Sequence, residues 1–204
     1  MVSGGLGPHR QLHNFSPWCA KQGYTQLFAR LLDHPNITVA LGTDYRDLLN
    51  RFSAAQVVYT EPADAYFDYR YGKLRYRSSE FRFEHHDTER FEAAPTIYHP
   101  TEHSYTRVSE FTQFTGQKHH KTCLVYEYPR SEGEPFYLVP TPQNAALYKK
   151  YQALADKIMN VHFISRLATF ENCCMDDVVA QALTLSSRLS GVSAKSHLAT
   201  AARA

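Results

Sequence analysis

The stretch from Val57 to Arg82 constrains the fold of this chain more than any other. It opens with three apolar residues, which predict a buried strand, and a Thr-Glu-Pro sequence typical of a turn follows them. From Leu74 onward, apolar and polar side chains alternate, and this pattern predicts a strand with one face in solvent. One continuous stretch therefore connects a buried strand to a sheet rich in aromatic and arginine side chains.

Hydrophobic periodicity predicts helices and strands on both sides of this stretch. The predicted helices are residues 23–33, 45–52, 143–159 and 175–189, and the predicted strands are residues 37–41, 57–59, 81–84, 96–98, 105–111, 121–128 and 161–164. Strand, helix and strand before residue 60 are typical of a βαβ unit with parallel strands, whereas short connections between residues 81 and 128 favour antiparallel pairing. We expect an α/β fold of mixed α+β type, in which one sheet-and-helix layer is interrupted by an antiparallel sheet.

The composition of the chain excludes several classes of function. Its 22 basic and 20 acidic residues leave a formal net charge of +2, so it lacks the strong field that favours nucleic acid or an anionic membrane surface. No apolar run approaches the ~20 residues that cross a bilayer, and the first residues lack the apolar core of a signal peptide. Four cysteines without a C-x-x-C pair predict a reduced, cytoplasmic protein.

Adjacent histidines and adjacent cysteines do not predict a metal site or a nucleophile. Neighbouring side chains in a strand point to opposite faces, so neither His85–His86 nor His119–His120 can easily hold one ion, and we expect no metal. Cys173 and Cys174 have no identifiable partner base, and we expect a buried pair.

Three side chains are candidates for binding phosphate. Arg107 begins a predicted strand, Tyr137 precedes the long helix, and Arg166 follows a buried strand, where ligands bind in open α/β sheets. An arginine fork matches phosphate, and the N-terminus of a helix starting near Met175 would help to hold an anion. The alternatives are a surface arginine, a core aromatic and a solvated loop arginine. No G-x-G-x-x-G follows a strand, so the residues alone do not name a reaction.

Six stretches, in matching order and spacing, resemble bacterial UDP-galactopyranose mutases. They are GYTQLFARLLDHPNI from Gly23, YTEPADAYFDYRYGKLRYRS from Tyr59, YTRVSEF from Tyr105, TGQKHHKTCLVYEYP from Thr115, NAALYKKYQALAD from Asn144 and VHFISRLATF from Val161. The resemblance runs from about residue 23 to about residue 189 and covers roughly the C-terminal half of a family member. It implies a truncated form without the N-terminal FAD-binding fingerprint.

The resemblance implies an isomerase that uses reduced FAD. In that family the enzyme interconverts UDP-galactopyranose and UDP-galactofuranose, and the flavin N5 attacks the anomeric carbon as UDP leaves, without net redox change. UDP-galactose is then the small-molecule substrate, and a homodimer is the assembly common in the family. The implied process is galactofuranose and cell-wall polysaccharide biosynthesis.

The family's motifs imply roles for five residues. Arg107 lies in Y-T-R, which binds the diphosphate, and Tyr24 lies in G-Y-T. Tyr137 matches the family's P-Y-Y-P, although this chain has Pro-Phe-Tyr-Leu. Arg166 belongs to the G-R-L motif near the flavin, and Met175 follows the family's Y-x-D stretch. The implied substrate-binding set is Tyr24, Arg107, Tyr137 and Arg166, and the implied cofactor-binding set is Arg166 and Met175.

The chain departs from the family's pattern at three places. Ser165 replaces the glycine of G-R-L, Glu61 stands where a glycine lies close to the flavin, and residues 172–174 read Asn-Cys-Cys instead of Y-Y-D. Two alternatives therefore stay open. The first is an inactive remnant or a nucleotide-sugar binding module without flavin. The second is a fragment of another flavoprotein, such as an amine-oxidase relative. The matched G-Y-T and Y-T-R motifs favour the mutase over the latter.

The pattern and the resemblance together imply five segments. We expect an irregular N-terminal segment (1–22), followed by part of an α/β flavin-type domain with a helical segment (23–62). An antiparallel sheet domain that binds substrate (63–142), a helix with a return to the α/β layer (143–191) and a disordered tail (192–204) then complete the chain.

Overall fold

The computed structural model describes residues 23–99 and 101–191, and the expected N-terminal segment and tail lie outside these ranges. Within them, no helix is both long enough and apolar enough to cross a membrane. The elements follow one another as α1 (Gly23–Leu32), α2 (Tyr45–Arg51), β1 (Val57–Tyr59), α3 (Ala63–Tyr66), β2 (Tyr76–His86), β3 (Thr96–Tyr98), β4 (Arg107–Glu110), α4 (Phe111–Thr115), β5 (Thr122–Arg130), β6 (Tyr137–Leu138), α5 (Pro142–Ala155), β7 (Val161–Phe163) and α6 (Met175–Ser190).

The chain forms two compact units. Among the described residues, the first comprises residues 23–43 and the segment Phe81–Tyr128, and the second comprises Asp44–Glu80 and residues 129–191. β2 contributes residues to both units. The antiparallel sheet of the first unit has the order β3-β4-β5-β2. β3 and β4 form a hairpin in which Tyr98 pairs with Arg107, and β4 pairs with β5.

The second unit contains the parallel pair and the core that the helices cover. β1 pairs with β7 in parallel, with Tyr59 opposite Phe163, and the start of β2 pairs with β6. Tyr151 on α5 is fully buried, and its hydroxyl donates to the carbonyl of Gly72 at 2.7 Å. Aromatic side chains from β1, α3 and β7 pack beside it at edge-to-face angles, which their quadrupoles favour. Parallel and antiparallel sheets therefore coexist, which confirms the expected mixed fold.

Most predicted elements are confirmed, with shifts at their ends. The helices predicted at 23–33, 45–52 and 175–189 correspond to α1, α2 and α6. The helix predicted at 143–159 ends earlier, at Ala155, because the next turn closes with shorter-range hydrogen bonds from Lys157 to Leu154 and from Ile158 to Ala155. Asp176 and Asp177 lie in the first turn of α6, where a helix dipole favours negative charge.

The strand predicted at residues 37–41 is wrong. These residues form no strand in the structure, and Leu41 is 87% exposed. The parallel partner of β1 is β7, more than one hundred residues later in the chain, so the βαβ unit predicted before residue 60 is also wrong. An apolar run can predict a buried strand only if another strand is there to pair with it.

The strand predicted at residues 105–111 is too long. β4 occupies only Arg107–Glu110, and the helix α4 begins at Phe111. Gly116 ends that helix with a positive φ of 65°, which suits glycine. α3 and the short strand β6 were not predicted, because elements of four and two residues carry too little periodicity.

Candidate functional site

Arg166 is the centre of the site in the second unit. It follows the C-terminal end of β7, and its side chain is half-buried rather than solvated. Its Nε and Nη2 donate to the carbonyl of Cys173 at 3.1 and 2.8 Å, and its Nη1 donates to the carbonyl of Phe136 at 3.2 Å. The guanidinium carbon lies 5.3 Å from the ring centroid of Tyr137, which is a cation–π distance.

These contacts bring three sequence motifs to one place. Tyr137 lies in β6, Arg166 follows β7, and Cys173 precedes α6. Because carbonyl oxygens and an aromatic face hold the guanidinium from several sides, its plane is fixed without a ligand. The structure thus brings together Tyr137, Arg166 and the residues immediately before Met175.

A strained turn positions Arg166. The preceding Ser165 has φ of 90°, a conformation that L side chains rarely adopt. Its hydroxyl donates to the carbonyl of Thr60 at 2.7 Å, and its N–H donates to Gln181 Oε1 at 2.9 Å. A positive φ of this size favours glycine, the residue that the family's G-R-L motif implies at this position.

Replacing Ser165 with glycine or alanine should separate backbone strain from the hydroxyl contact. Both variants lose the bond to Thr60, but only the alanine keeps a Cβ at positive φ. We expect Ser165→Gly to be more stable than Ser165→Ala by about 1 kcal/mol, since strain of this kind exceeds the entropic cost of glycine. Chemical unfolding of both variants measures the difference, and an alanine variant at least as stable as the glycine variant would contradict the assignment of strain.

Helix α6 starts with its own cap. Asp177 Oδ2 accepts from the N–H of Cys174 at 2.9 Å, and the Cys174 side chain accepts in return from the backbone of Asp177. This capping box provides hydrogen-bond partners for backbone N–H groups at the start of the helix. The carboxylates of Asp176 and Asp177 also place negative charge where the sequence predicted that an anion would bind. Met175, the first residue of the helix, is 51% exposed.

The expectation that Cys173 and Cys174 are both buried is wrong for one of them. Cys173 is buried, whereas Cys174 is exposed because it caps the helix. Burial raises the pKa of the Cys173 thiol, and Arg166 opposes this shift without cancelling it. A thiol with a raised pKa is a poor nucleophile at neutral pH. We therefore assign Cys173 a structural role and not a catalytic one.

A cavity of about 670 Å³ lies against the end of β7 and along one side of α6, from Asp177 to Arg188. Both carboxylate and guanidinium groups border it, from Glu171, Asp177 and Arg188. The two carboxylates outnumber the arginine, so the lining suits an uncharged group better than a diphosphate. Neutral polar groups on the wall include those of Thr169, Asn172, Gln181 and Thr184.

Arg107 lies in the first unit and pairs with a carboxylate that the sequence did not reveal. It stands directly opposite Glu127 in the β4–β5 ladder, and its Nη2 forms an ion pair with Glu127 Oε2. The Glu127 side chain is only 9% exposed, against 31% for Arg107. Tyr24, the second residue of α1, belongs to the same unit and is 40% exposed.

Comparison with known proteins identifies the family. A family model described as UDP-galactopyranose mutase matches residues 13–172. A probable UDP-galactopyranose mutase of Klebsiella pneumoniae is 33% identical over 167 residues, covering 80% of this chain and 43% of that protein. A dTDP-fucopyranose mutase of Escherichia coli is 31% identical over 173 residues, covering 80% and 46%. The UDP-galactopyranose mutase of Mycoplasma pneumoniae is 32% identical over 187 residues, covering 83% and 47%.

The chain therefore spans less than half the length of these curated relatives. The match to the family model nevertheless extends over most of the chain and includes the segments around Arg107, Tyr137 and Arg166. On this evidence, the chain belongs to the UDP-galactopyranose mutase family.

Proposed function

We propose that this chain supplies sugar-nucleotide-binding and flavin-facing residues of an isomerase that interconverts UDP-galactopyranose and UDP-galactofuranose. The observation that carries the proposal is the convergence on Arg166, whose guanidinium contacts Tyr137 and the carbonyls of Phe136 and Cys173. In a family member these are the motifs that meet the nucleotide sugar and the flavin. Their packing in this chain supports a retained site.

The polar groups on the wall of the cavity beside α6 support its assignment as a site for the ring system of a flavin. A flavin ring is planar and carries both donors and acceptors at its edge, and the wall offers the amides of Asn172 and Gln181 and hydroxyls of Thr169 and Thr184. The excess of carboxylates disfavours placing a diphosphate there. Reduced flavin would supply the nucleophile, and the chain's residues would bind and orient the ring.

Arg166 would act as a cation that the protein holds in a fixed position. Three of its N–H groups are bonded to backbone carbonyls, so its charge stays fixed at the end of β7. A fixed cation there can stabilise negative charge on a bound ligand without moving during the reaction. Tyr137, whose ring lies against it, would add a hydroxyl donor to the same ligand.

Arg107 would bind the diphosphate with a guanidinium that Glu127 holds in place. The pair also offsets the charge of the arginine, so we expect recognition by directed hydrogen bonds more than by net positive charge. Tyr24 and Met175 complete the proposed set, as substrate-binding and cofactor-binding residues respectively. We further propose a cytoplasmic homodimer acting in galactofuranose and polysaccharide biosynthesis, with UDP-galactose as substrate.

A second candidate is a nucleotide-sugar binding module that holds no flavin. The loss of Y-Y-D at residues 172–174 and the capping box that occupies the start of α6 favour it. The relative named dTDP-fucopyranose mutase also shows that the nucleotide and the sugar differ between relatives. The common feature is a nucleoside diphosphate joined to a hexopyranose.

Flavin uptake distinguishes the two candidates. The purified chain is mixed with FAD, desalted and examined by visible absorption, and the mutase proposal predicts retained flavin with a band shape altered from that of free FAD. Arg166→Ala should lose the retained flavin, because the loop before α6 loses its anchor. Arg70→Ala, an exposed arginine of the same unit, is the matched control and should retain it. A colourless wild-type protein would contradict the flavin part of the proposal.

A further inference from the structure

The tip of the β3–β4 hairpin gathers three side chains of metal-binding type. The loop follows Tyr98, and the N–H of His99 donates to the carbonyl of Thr106 at 2.8 Å, which closes it. His99, Glu102 and His103 each direct one ligand atom to the same place, and these atoms lie within 4.8 Å of one another. Within this group, His99 Nδ1 and Glu102 Oε2 are 3.9 Å apart.

We propose that His99, Glu102 and His103 form a binding site for a divalent first-row metal ion, with Zn²⁺ as the expected occupant. Two imidazoles and one carboxylate are a donor set that zinc accepts, with water in the fourth position. Zinc bonds of about 2.0–2.2 Å place tetrahedral ligand atoms roughly 3.4 Å apart. The ligand atoms of His99, Glu102 and His103 are at most 4.8 Å apart, so binding zinc requires them to approach by little more than an ångström.

The chain can make this contraction at low cost. Glu102 is exposed, so a change of its side-chain rotamer needs no repacking of a core. His99 is partly buried and its backbone is fixed by the bond to Thr106, so it supplies a stationary first ligand. Ion binding would then draw Glu102 toward the two imidazoles.

Tyr105 holds both imidazoles in place before any ion binds. Its ring stacks on His103 at 4.6 Å and 11°, and it meets His99 edge-on at 5.2 Å. The same ring packs edge-to-face against Tyr126 and Tyr128 of β5, so the hairpin tip is tied to the sheet. Rings held in this way lose less conformational entropy on binding than free surface histidines.

Other groups of similar chemistry have another explanation. His119 and His120 are neighbours in sequence, and the His119 Nδ1 accepts from the N–H of Lys121 at 3.0 Å. Cys174, Asp176 and Asp177 also lie close together, but two of them form the helix cap described above. Among residues 23–99 and 101–191, the hairpin tip is the group of two histidines and a carboxylate whose ligand atoms take part in no helix cap and no backbone hydrogen bond.

The test is a Zn²⁺ titration of the full chain, free of any histidine tag, against a chromophoric chelator. Removing a ligand costs at least about tenfold in affinity, since even outer-shell changes cost ~10–100-fold. We therefore expect His103→Ala and Glu102→Gln each to weaken binding tenfold or more, and His119→Ala to leave it unchanged. Glu102→Gln keeps the size of the side chain, and circular dichroism checks that each variant folds.

Cobalt substitution gives an independent readout. Co²⁺ bound to the wild-type chain should show the visible absorption of a four-coordinate ion, and His103→Ala should lose it. Unchanged zinc affinity in both ligand variants, or an equal loss in His119→Ala, would overturn the site. The measurement uses no nucleotide and no flavin, so its outcome is separate from that of the proposed function.

Discussion

Glu110→Ala is expected to lower the free energy of unfolding of the first unit by roughly 3 kcal/mol, the cost of several hydrogen bonds to one buried charge. Glu110 ends β4 and is completely buried. Its Oε1 accepts from the N–H of Phe91, and its Oε2 accepts from the N–H of Glu92, both at 3.0 Å. Gln113 Nε2 donates to the same Oε2. Alanine would leave the two backbone N–H groups without an acceptor, and Gln113 Nε2 would keep only the carbonyl of Glu92.

The same carboxylate makes stability depend on pH. Burial alone raises the pKa of Glu110, but hydrogen bonds from Thr122, Gln113 and the N–H groups of Glu92 and Phe91 outweigh it and lower the pKa to about 2. A group with a lowered folded-state pKa stabilises the protein above its ordinary value of 4.5. That contribution is lost as the pH falls from 4.5 toward 2.

Chemical unfolding of wild type, Glu110→Ala and Glu110→Gln at pH 7 and pH 3 measures both effects. The wild-type advantage over Glu110→Gln should shrink at pH 3, because the glutamine has no charge to lose. Glu89→Ala, an exposed glutamate in the same unit, should change stability by no more than about 0.5 kcal/mol. A Glu110→Ala variant as stable as Glu89→Ala would show that the buried network contributes little.

Local pattern predicted most helices and strands, because their apolar spacing reflects one buried face. It failed where long-range pairing decides the outcome. The apolar residues 37–41 have a strand-like composition but form no strand, whereas β1 finds its partner in β7. Similarly, Glu127 could not be recognised as the partner of Arg107 until the β4–β5 register was known. The five segments expected from sequence stay a prediction.

The candidate site shows the same division between local and long-range information. The motifs named Arg107, Tyr137 and Arg166, but nothing in the spacing indicated that Arg166 anchors the carbonyl of Cys173. The H-x-x-E-H spacing at residues 99–103 likewise does not by itself indicate that His99, Glu102 and His103 lie close together. Their convergence depends on a loop that the bond from His99 to Thr106 closes.

Arg107→Ala is expected to weaken the binding of UDP by about 5–150-fold, the equivalent of ~1–3 kcal/mol for hydrogen bonds to a charged group. The substitution also leaves Glu127 buried without its ion pair, which by itself destabilises the first unit. The double variant Arg107→Ala/Glu127→Gln removes that unpaired charge. We expect it to recover stability without recovering affinity, which separates binding from folding.

Arg130→Ala is the matched control, since Arg130 is also a strand arginine paired with a glutamate, Glu80. It should bind UDP as wild type does. Isothermal titration of UDP into these four proteins is the most direct test of the claim that this chain holds a nucleoside diphosphate through Arg107. The account predicts weakened binding in both Arg107 variants and wild-type binding in Arg130→Ala. Equal affinities in all four proteins, or no binding by wild type, would contradict it.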